Sequence, residues 1–399
     1  MIIKPVVRGY LCVTAHPDGC AESVRQQIGY TEKQPKFDGP KTALVLGSSN
    51  GLGLATRIAV AFGAGAQTVG VCLERPGTST RTGTAGWYNT AAFEEEAMHR
   101  GLGAWTIVGD AFSDEVKHAT AQLIRRQLGT VDLVVYSVAA PRRKHPETGA
   151  IHSSVLKTIG QPFTGDAYDF GSRTVRKHTL TPATEEEIAD TVAVMGGDDW
   201  SRWLQVLNTA GALAEGASSI AFSYVGQPRL APTYRDGTMG RAKDHLESTA
   251  RDLPAAHAGL GLDTRIAVMK ALVTQSSAAI PMSTLYTIVL GAVMRERGVD
   301  EDAIAQCCRL LGDQLYGEGP LRLDSSGRIR LDDFELRADI QAEVDRRLDT
   351  ATTENLTTIG DPDRFERDLL QLYGFGWDGV DYSADCDPIR SIRSVTADD

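Results

Sequence analysis

The sequence predicts an α/β fold, a doubly wound parallel sheet with helices on both faces. Three observations predict it. From Lys41 onward, short apolar runs alternate with helical patterns. The first run ends in a glycine turn that opens directly into a helix, in the stretch TALVLGSSNGLG over residues 42–53. The next run closes on a carboxylate, Glu74, 21 residues after Gly53.

Residues 1–13 alternate apolar and polar side chains around Pro5, Gly9 and Tyr10, and read as a small hairpin laid against the main body. Residues 18–40 read as a short helix and a loop. Strands follow at 42–47, 67–73, 104–109 and 131–137, with helices at 52–63, 91–101 and 113–127. Residues 141–184 break this rhythm. Arg142, Arg143, Lys144 and His145 form a basic cluster there, either a solvated loop or a landing point for coenzyme A phosphates or an acidic carrier protein. A helical region spans 185–213, interrupted at Gly196-Gly197. Further strands are expected at 218–225 and 264–269, with a helix at 239–254 between them. Helical patterns cover 283–317, residues 334–349 are charged and amphipathic, and the tail from 351 includes a Gly- and aromatic-rich piece. No linker is evident. The expectation is one enlarged domain over 1–399, with its core at about 41–300 and a helical extension at about 301–399.

Composition narrows the function classes. Hydrophobic residues at 42% and charged residues at 23% suit a soluble globular chain. A net charge of −11 argues against nucleic-acid binding, which calls for a basic face. The six cysteines are scattered in a long chain, which suggests reduced thiols. Cys12, His16 and Cys20 lie at fours with no second ligand pair, so no metal site is expected. The longest uncharged run, 271–294, contains Thr274, Gln275, Ser276 and Ser277 and is too polar for a membrane span. It reads as a buried helix or as a wall of an apolar substrate channel. The N-terminus carries no secretion signal, and a cytoplasmic location is expected.

The glycine turn suits a pyrophosphate, because a helix N-terminus offers free N–H groups and partial positive charge. Gly47 allows the tight turn, Gly51 lets the phosphates approach, and Gly53 lets helix and strand pack closely. Glu74 can accept hydrogen bonds from the adenosine ribose and repels a 2′-phosphate, which favours NADH, although Arg75 beside it can pair with such a phosphate. Asp110-Ala111 follows the third strand, placed to meet an adenine. Ser137-Val138-Ala139-Ala140 follows the fourth, and its small side chains leave room for a cofactor.

A reductase also needs a proton donor near the nicotinamide. Tyr234 and Lys243 are the candidates, with eight residues between them. On one continuous helix they would face apart. Tyr234 is therefore expected on the loop before the helix, where Asp236 and Gly237 break the chain, and Lys243 on the helix proper. A nearby ammonium stabilises a phenolate and lowers the phenol's pKa. Tyr224, at a strand end, is a candidate to hydrogen-bond a thioester carbonyl, or else a core aromatic.

With the motifs GSSNGLG, LERP, VVYSVAAPRR, SYVGQP, the Tyr-(x)8-Lys pair and LVTQSSAAIP, the chain resembles the FabV-type trans-2-enoyl reductases, enoyl-acyl-carrier-protein and enoyl-CoA reductases. The resemblance runs over essentially the whole chain, and the eight-residue gap is its specific feature. It implies an enlarged Rossmann-type domain, an N-terminal hairpin, an insertion after the fourth strand, NADH as cofactor and a monomer. It further implies that Gly47, Ser48, Ser49, Asn50, Gly51 and Leu52 hold the pyrophosphate, Leu73 and Glu74 the ribose, and Asp110 and Ala111 the adenine. Val138 and Ala139 would line the cofactor. Lys243 would bind the nicotinamide ribose, with Leu272, Val273 and Thr274 beside the nicotinamide. Tyr224 would contact an enoyl thioester of acyl carrier protein or coenzyme A, and Tyr234 would donate the proton. A short-chain carbonyl reductase and a non-catalytic NADH-binding protein are the competing expectations.

Overall fold

The computed structural model describes residues 1–9 and 11–395. The chain opens with a hairpin of β1 (Val7–Arg8) and β2 (Leu11–Cys12), as expected, although Tyr10 at its tip lies outside the described residues. Helix α1 (Pro17–Lys33) is longer than the short helix expected. Pro17 occupies its first turn, where no N–H is needed, and His16 caps it by accepting from Gly19 N.

The alternating unit then runs β3 (Thr42–Leu46), α2 (Gly51–Ile58), β4 (Gln67–Cys72), α3 (Ala85–His99), β5 (Ala104–Val108), α4 (Asp114–Gln127) and β6 (Val131–Tyr136). Ala43, Leu44, Val45 and Leu46 are fully buried, as a strand covered on both faces requires. Residues 141–184, expected only to break the rhythm, form two antiparallel hairpins: β7 (Arg142–Lys144) with β8 (Ile151–Ser153), and β9 (Phe163–Asp169) with β10 (Thr174–Leu180). The basic cluster is therefore not a simple solvated loop. Arg143 is 1% exposed, donates to Ala193 O at 2.7 Å and pairs with Asp198 at 2.5 Å.

Helices α5 (Glu185–Met195) and α6 (Asp198–Thr209) are split at Gly196-Gly197, as the sequence suggests. Strand β11 (Leu213–Ser223) begins five residues earlier than expected, because a register shift between Leu213 and Ser218 lets it pair with β6 twice. Next come α7 (Thr238–Ala256), β12 (Asp263–Val268), α8 (Pro281–Glu296), α9 (Ala303–Arg309), β13 (Ile329–Arg330), α10 (Ala338–Leu348), α11 (Leu356–Ile359), α12 (Pro362–Gln371) and β14 (Ser394–Val395). Among the described residues no helix is long and apolar enough to cross a membrane.

The main sheet has the order β13-β12-β11-β6-β3-β4-β5-β14, and every pair in it is parallel. From β3 the chain moves one way to β4 and β5, then returns to the other side with β6. That reversal opens a crevice at the carboxyl ends of β3 and β6, where such sheets bind ligands. One face of the sheet buries Val24, Ile58 and Phe93 from α1, α2 and α3. The other buries Ile124, Trp203 and Leu246 from α4, α6 and α7. A third cluster surrounds α8, with Tyr286, Leu290, Ile340, Phe365 and Tyr168.

Candidate active site

The glycine turn sits at the crevice. Gly47 has φ +80°, and a side chain on it would run into the Ser137 carbonyl at the end of β6. A side chain on Gly53 would strike the Gly47 carbonyl. Backbone therefore lies against backbone here, which leaves the first N–H groups of α2 facing the space above the sheet. Glu74 braces this turn from the end of β4. Its Oε1 accepts from Ser49 Oγ at 2.6 Å and Asn50 Nδ2 at 3.1 Å. Asn89 donates to Ser49 O and to Asn50 Oδ1 from α3, a strut with no signal in the sequence. Burial pushes the Glu74 carboxyl above its usual range, against the hydrogen bonds from Ser49 and Thr84. Ser48 is buried beneath the turn and Leu52 is the second residue of α2. Leu73, beside Glu74, is 72% exposed, an apolar ledge next to the carboxylate.

At the end of β5, Asp110 Oδ1 accepts from Phe112 N at 3.0 Å. The Ala111 carbonyl takes hydrogen bonds from Lys117 Nζ at 3.0 Å and Trp203 Nε1 at 2.9 Å. Lys117 is fully buried and pairs with Asp199 at 2.8 Å. This clamp was not foreseen, because Lys117 lies in a charged helix and reads as solvated. Val138 and Ala139 follow β6 on the other side of the crevice.

Tyr234 lies between a short turn over Pro228–Thr233 and α7, off the helix as expected. Gly240 makes this possible, since a side chain there would collide with the Arg235 carbonyl. Tyr224 follows β11 directly, and its ring meets that of Tyr234 edge-on, with centroids 5.2 Å apart. Lys243 projects from α7 and donates to the Phe222 carbonyl at 3.2 Å. Burial lowers its pKa to about 8, with Glu247 opposing. The expected lowering of the Tyr234 phenol is not found. Burial alone acts on it and raises it, because the Lys243 ammonium is turned to the strand end. No partner for the Tyr234 hydroxyl is found among the described residues.

Residues 271–274 follow β12. Thr274 Cγ2 lies 3.8 Å from where a Cβ on Gly51 would stand, so this loop closes over the glycine turn. Ser277 pins it, donating to Leu272 O at 2.6 Å and accepting from Thr274 N at 2.9 Å. Leu272 is buried and Val273 partly so. The uncharged run therefore divides into this loop and the buried helix α8. Behind the loop lies a cleft of about 210 Å³, lined in part by Asn50, Gly51, Ala271 and Val273. A buried acid from the C-terminal extension, Glu335, accepts from Ala271 N at 2.7 Å, at the start of this loop. The nearest metal-like grouping among the described residues is His16, Asp18 and Cys386, within 4.8 Å of one another. His16 is already a helix cap there and Asp18 pairs with Arg390 at 2.8 Å.

The strand order, the glycine turn with its bracing carboxylate, and a phenol and an amine at one end of the crevice define an NAD-binding oxidoreductase of the Rossmann class. Comparisons with known proteins narrow this. Residues 81–316 match the family model described as the trans-2-enoyl-CoA reductase catalytic region, and residues 2–79 match the NAD(P)H binding domain of trans-2-enoyl-CoA reductase. The enoyl-[acyl-carrier-protein] reductase [NADH] of Methylobacillus flagellatus is 50% identical over 396 residues, covering 99% of this chain and 100% of that protein. The Burkholderia pseudomallei protein of the same name is 51% identical over 99% of this chain and 100% of its own length. Crystal structures of trans-2-enoyl-CoA reductase are similar too. The one from Clostridium acetobutulicum, with NADH, has TM-score 0.95 and 41% identity over 97% of this chain and 98% of that one. The one from Treponema denticola, with NAD, has TM-score 0.94 and 43% identity over 98% and 100%. The chain belongs to the trans-2-enoyl-CoA reductase family.

Residues 323–386 also match a model described as an enoyl reductase FAD binding domain. They do not fit that group. They contain no strand, glycine turn and helix in succession, and Ile340, Val344, Leu348, Phe365 and Leu369 are buried in the cluster around α8.

Proposed function

We propose that this chain reduces the carbon–carbon double bond of trans-2-enoyl thioesters, with acyl carrier protein or coenzyme A as the handle, to the saturated acyl thioesters, the last reductive step of fatty acid elongation. The observation that carries this reading is the position of Tyr234. It is a buried phenol beside Tyr224, which directly follows β11 at the carboxyl edge of the sheet. NADH, when bound, supplies the hydride that adds to the β-carbon of the thioester.

The residues divide the remaining work. The turn from Gly47 to Leu52 binds the pyrophosphate, Leu73 and Glu74 the adenosine ribose, and Asp110 and Ala111 the adenine. Val138, Ala139 and residues 272–274 orient the nicotinamide end, and Lys243 holds its ribose. Negative charge grows on the thioester oxygen as the β-carbon is reduced, and the Tyr234 hydroxyl donates a hydrogen bond to it. Burial keeps this phenol protonated, so it is a donor throughout the working range. A proton taken up from solvent at the α-carbon completes the saturated product. Glu74 favours NADH over a 2′-phosphorylated cofactor by repulsion. The resemblance adds a monomer, and a cytoplasmic location is proposed beside it.

Tyr234→Phe tests the reading. Turnover of crotonyl-CoA should fall by about 100-fold or more, the scale of a lost oxyanion donor. NADH affinity, read by fluorescence titration, should stay within about twofold. Turnover at the wild-type rate would remove Tyr234 from the mechanism. Faster reduction of acetoacetyl-CoA than of crotonyl-CoA by the wild-type protein would point to a carbonyl reductase instead.

A further inference from the structure

Glu335 lies on the segment between β13 and α10, more than a hundred residues from Tyr224, and is 1% exposed. Its carboxylate is fully occupied by groups from three other parts of the chain. Oε1 accepts from the Tyr286 hydroxyl at 2.7 Å and from the Tyr224 hydroxyl at 3.3 Å. Oε2 accepts from Ala271 N at 2.7 Å, at the start of the loop over the glycine turn. Gln341 holds the assembly from behind, donating to Tyr286 Oη at 3.0 Å and to the Glu335 carbonyl at 2.7 Å. Burial raises the Glu335 pKa, against the hydrogen bonds from Ala271 N and the Tyr286 hydroxyl. In its ionised form the carboxylate only accepts, and both phenols then donate to it. The hydrogen of Tyr224 is therefore committed away from the crevice. Its ring stands edge-on to Tyr234, whose own hydroxyl is uncommitted among the described residues.

We propose that Glu335 is a positioning residue for the substrate pocket. It fixes the Tyr224 ring as a wall against which the enoyl thioester lies, and by taking the Tyr224 hydrogen it leaves Tyr234 as the only phenol that donates to the thioester oxygen. This rests on the reading of Tyr224 and Tyr234 given above. It changes the part of Tyr224 from a second hydrogen-bond donor to an oriented surface. It also gives the C-terminal extension a place in the active site.

Glu335→Gln separates these roles. The amide oxygen can still accept from Ala271 N, so the loop over the glycine turn keeps its anchor. The amide nitrogen then faces the two phenols as a donor, and both hydroxyls must turn their hydrogens elsewhere. KM for crotonyl-CoA should rise about tenfold, while kcat stays within threefold and NADH affinity within twofold. Tyr224→Phe should raise KM by a similar factor. In the Tyr224→Phe background, Glu335→Gln should then add less than twofold, since the two substitutions remove one arrangement. A purely structural Glu335 would give multiplicative effects in the double variant, and that result overturns the proposal. An unchanged KM in Glu335→Gln overturns it equally. If Tyr224→Phe alone leaves KM unchanged, the substrate reading of Tyr224 fails first and Glu335 has nothing to position. Should Glu335→Gln not fold, Tyr286→Phe removes the shorter of the two phenol contacts and leaves the carboxylate in place. It should raise KM in the same direction and lose that effect in the Tyr224→Phe background, and full additivity there counts against the proposal.

Discussion

Lys243 shows how burial sets the working range of a single side chain. Its pKa falls from the usual 10.5 to about 8 because the ammonium is desolvated beside the end of β11. The charged form is present below about pH 8 and is lost as the pH rises through that value. Binding of NADH by the free protein should therefore weaken above about pH 8, if the ammonium holds the ribose hydroxyls. Fluorescence titrations from pH 6 to 9.5 should show this limb, and Lys243→Met should abolish it while weakening binding at pH 7 about tenfold. A wild-type affinity flat across the range would remove the charge from the role. For stability the sign is opposite. The folded-state value lies below the unfolded one, so the native state carries a penalty where the lysine is protonated, and that penalty is relieved between about pH 8 and 10.5. Tyr234 moves the other way, since burial of an acid disfavours its anion, and the two groups keep their useful protonation states together at neutral pH.

The elements around Tyr234 depend on one close approach. Gly240 N donates to the Tyr234 carbonyl at 2.8 Å, and α7 packs against the loop at the point where a Cβ would meet the Arg235 carbonyl. Gly240→Ala should push the loop away from the helix. We expect kcat to fall by about tenfold or more, since a misplacement near 1 Å is costly for reacting groups. The melting temperature should drop by a few degrees, on the scale of about 1–2 kcal/mol for overpacking. Wild-type kcat in this variant would show that the approach does not set the position of Tyr234. The loop placement of Tyr234 was legible beforehand, because eight intervening residues cannot put two side chains on one helical face. The strands from β3 to β6 were legible because buried parallel strands are continuous apolar runs punctuated by glycine. The hairpins β7–β8 and β9–β10 were not. Stretches such as Arg142–Lys144 and Thr174–Leu180 are polar on both faces and carry no alternation to read. Glu335 was hidden for a related reason. It sits in the charged run DDFELR, and its partners are Tyr224, Ala271 and Tyr286, between 49 and 111 residues away.

On the scale of the whole molecule, the last hundred residues close the structure rather than trail from it. β13 pairs with β12 at one edge of the sheet and β14 with β5 at the other. Between them, α10 packs on α8, and Glu335 bonds to the loop after β12. The far end is tied as well, since Tyr88 donates to Pro388 O at 2.7 Å and Trp87 to Arg390 O at 2.8 Å. The edge strands β13 and β14 are only two residues long, and short edges limit the strand sides through which sheets aggregate. We propose on these contacts that residues 1–399 behave as one enlarged domain, with the extension unfolding together with the sheet. Hydrogen exchange in increasing urea should then give the same midpoint for amides in α10 and α12 as for those in β3. Exchange of α10 and α12 at distinctly lower urea, with β3 still protected, would mean that the extension is a separate unit. Such a protein would also lose Glu335 from the crevice before the sheet opens, so KM for the enoyl thioester should rise at urea concentrations that leave NADH binding intact. In a single cooperative unit, both signals fail together at one midpoint.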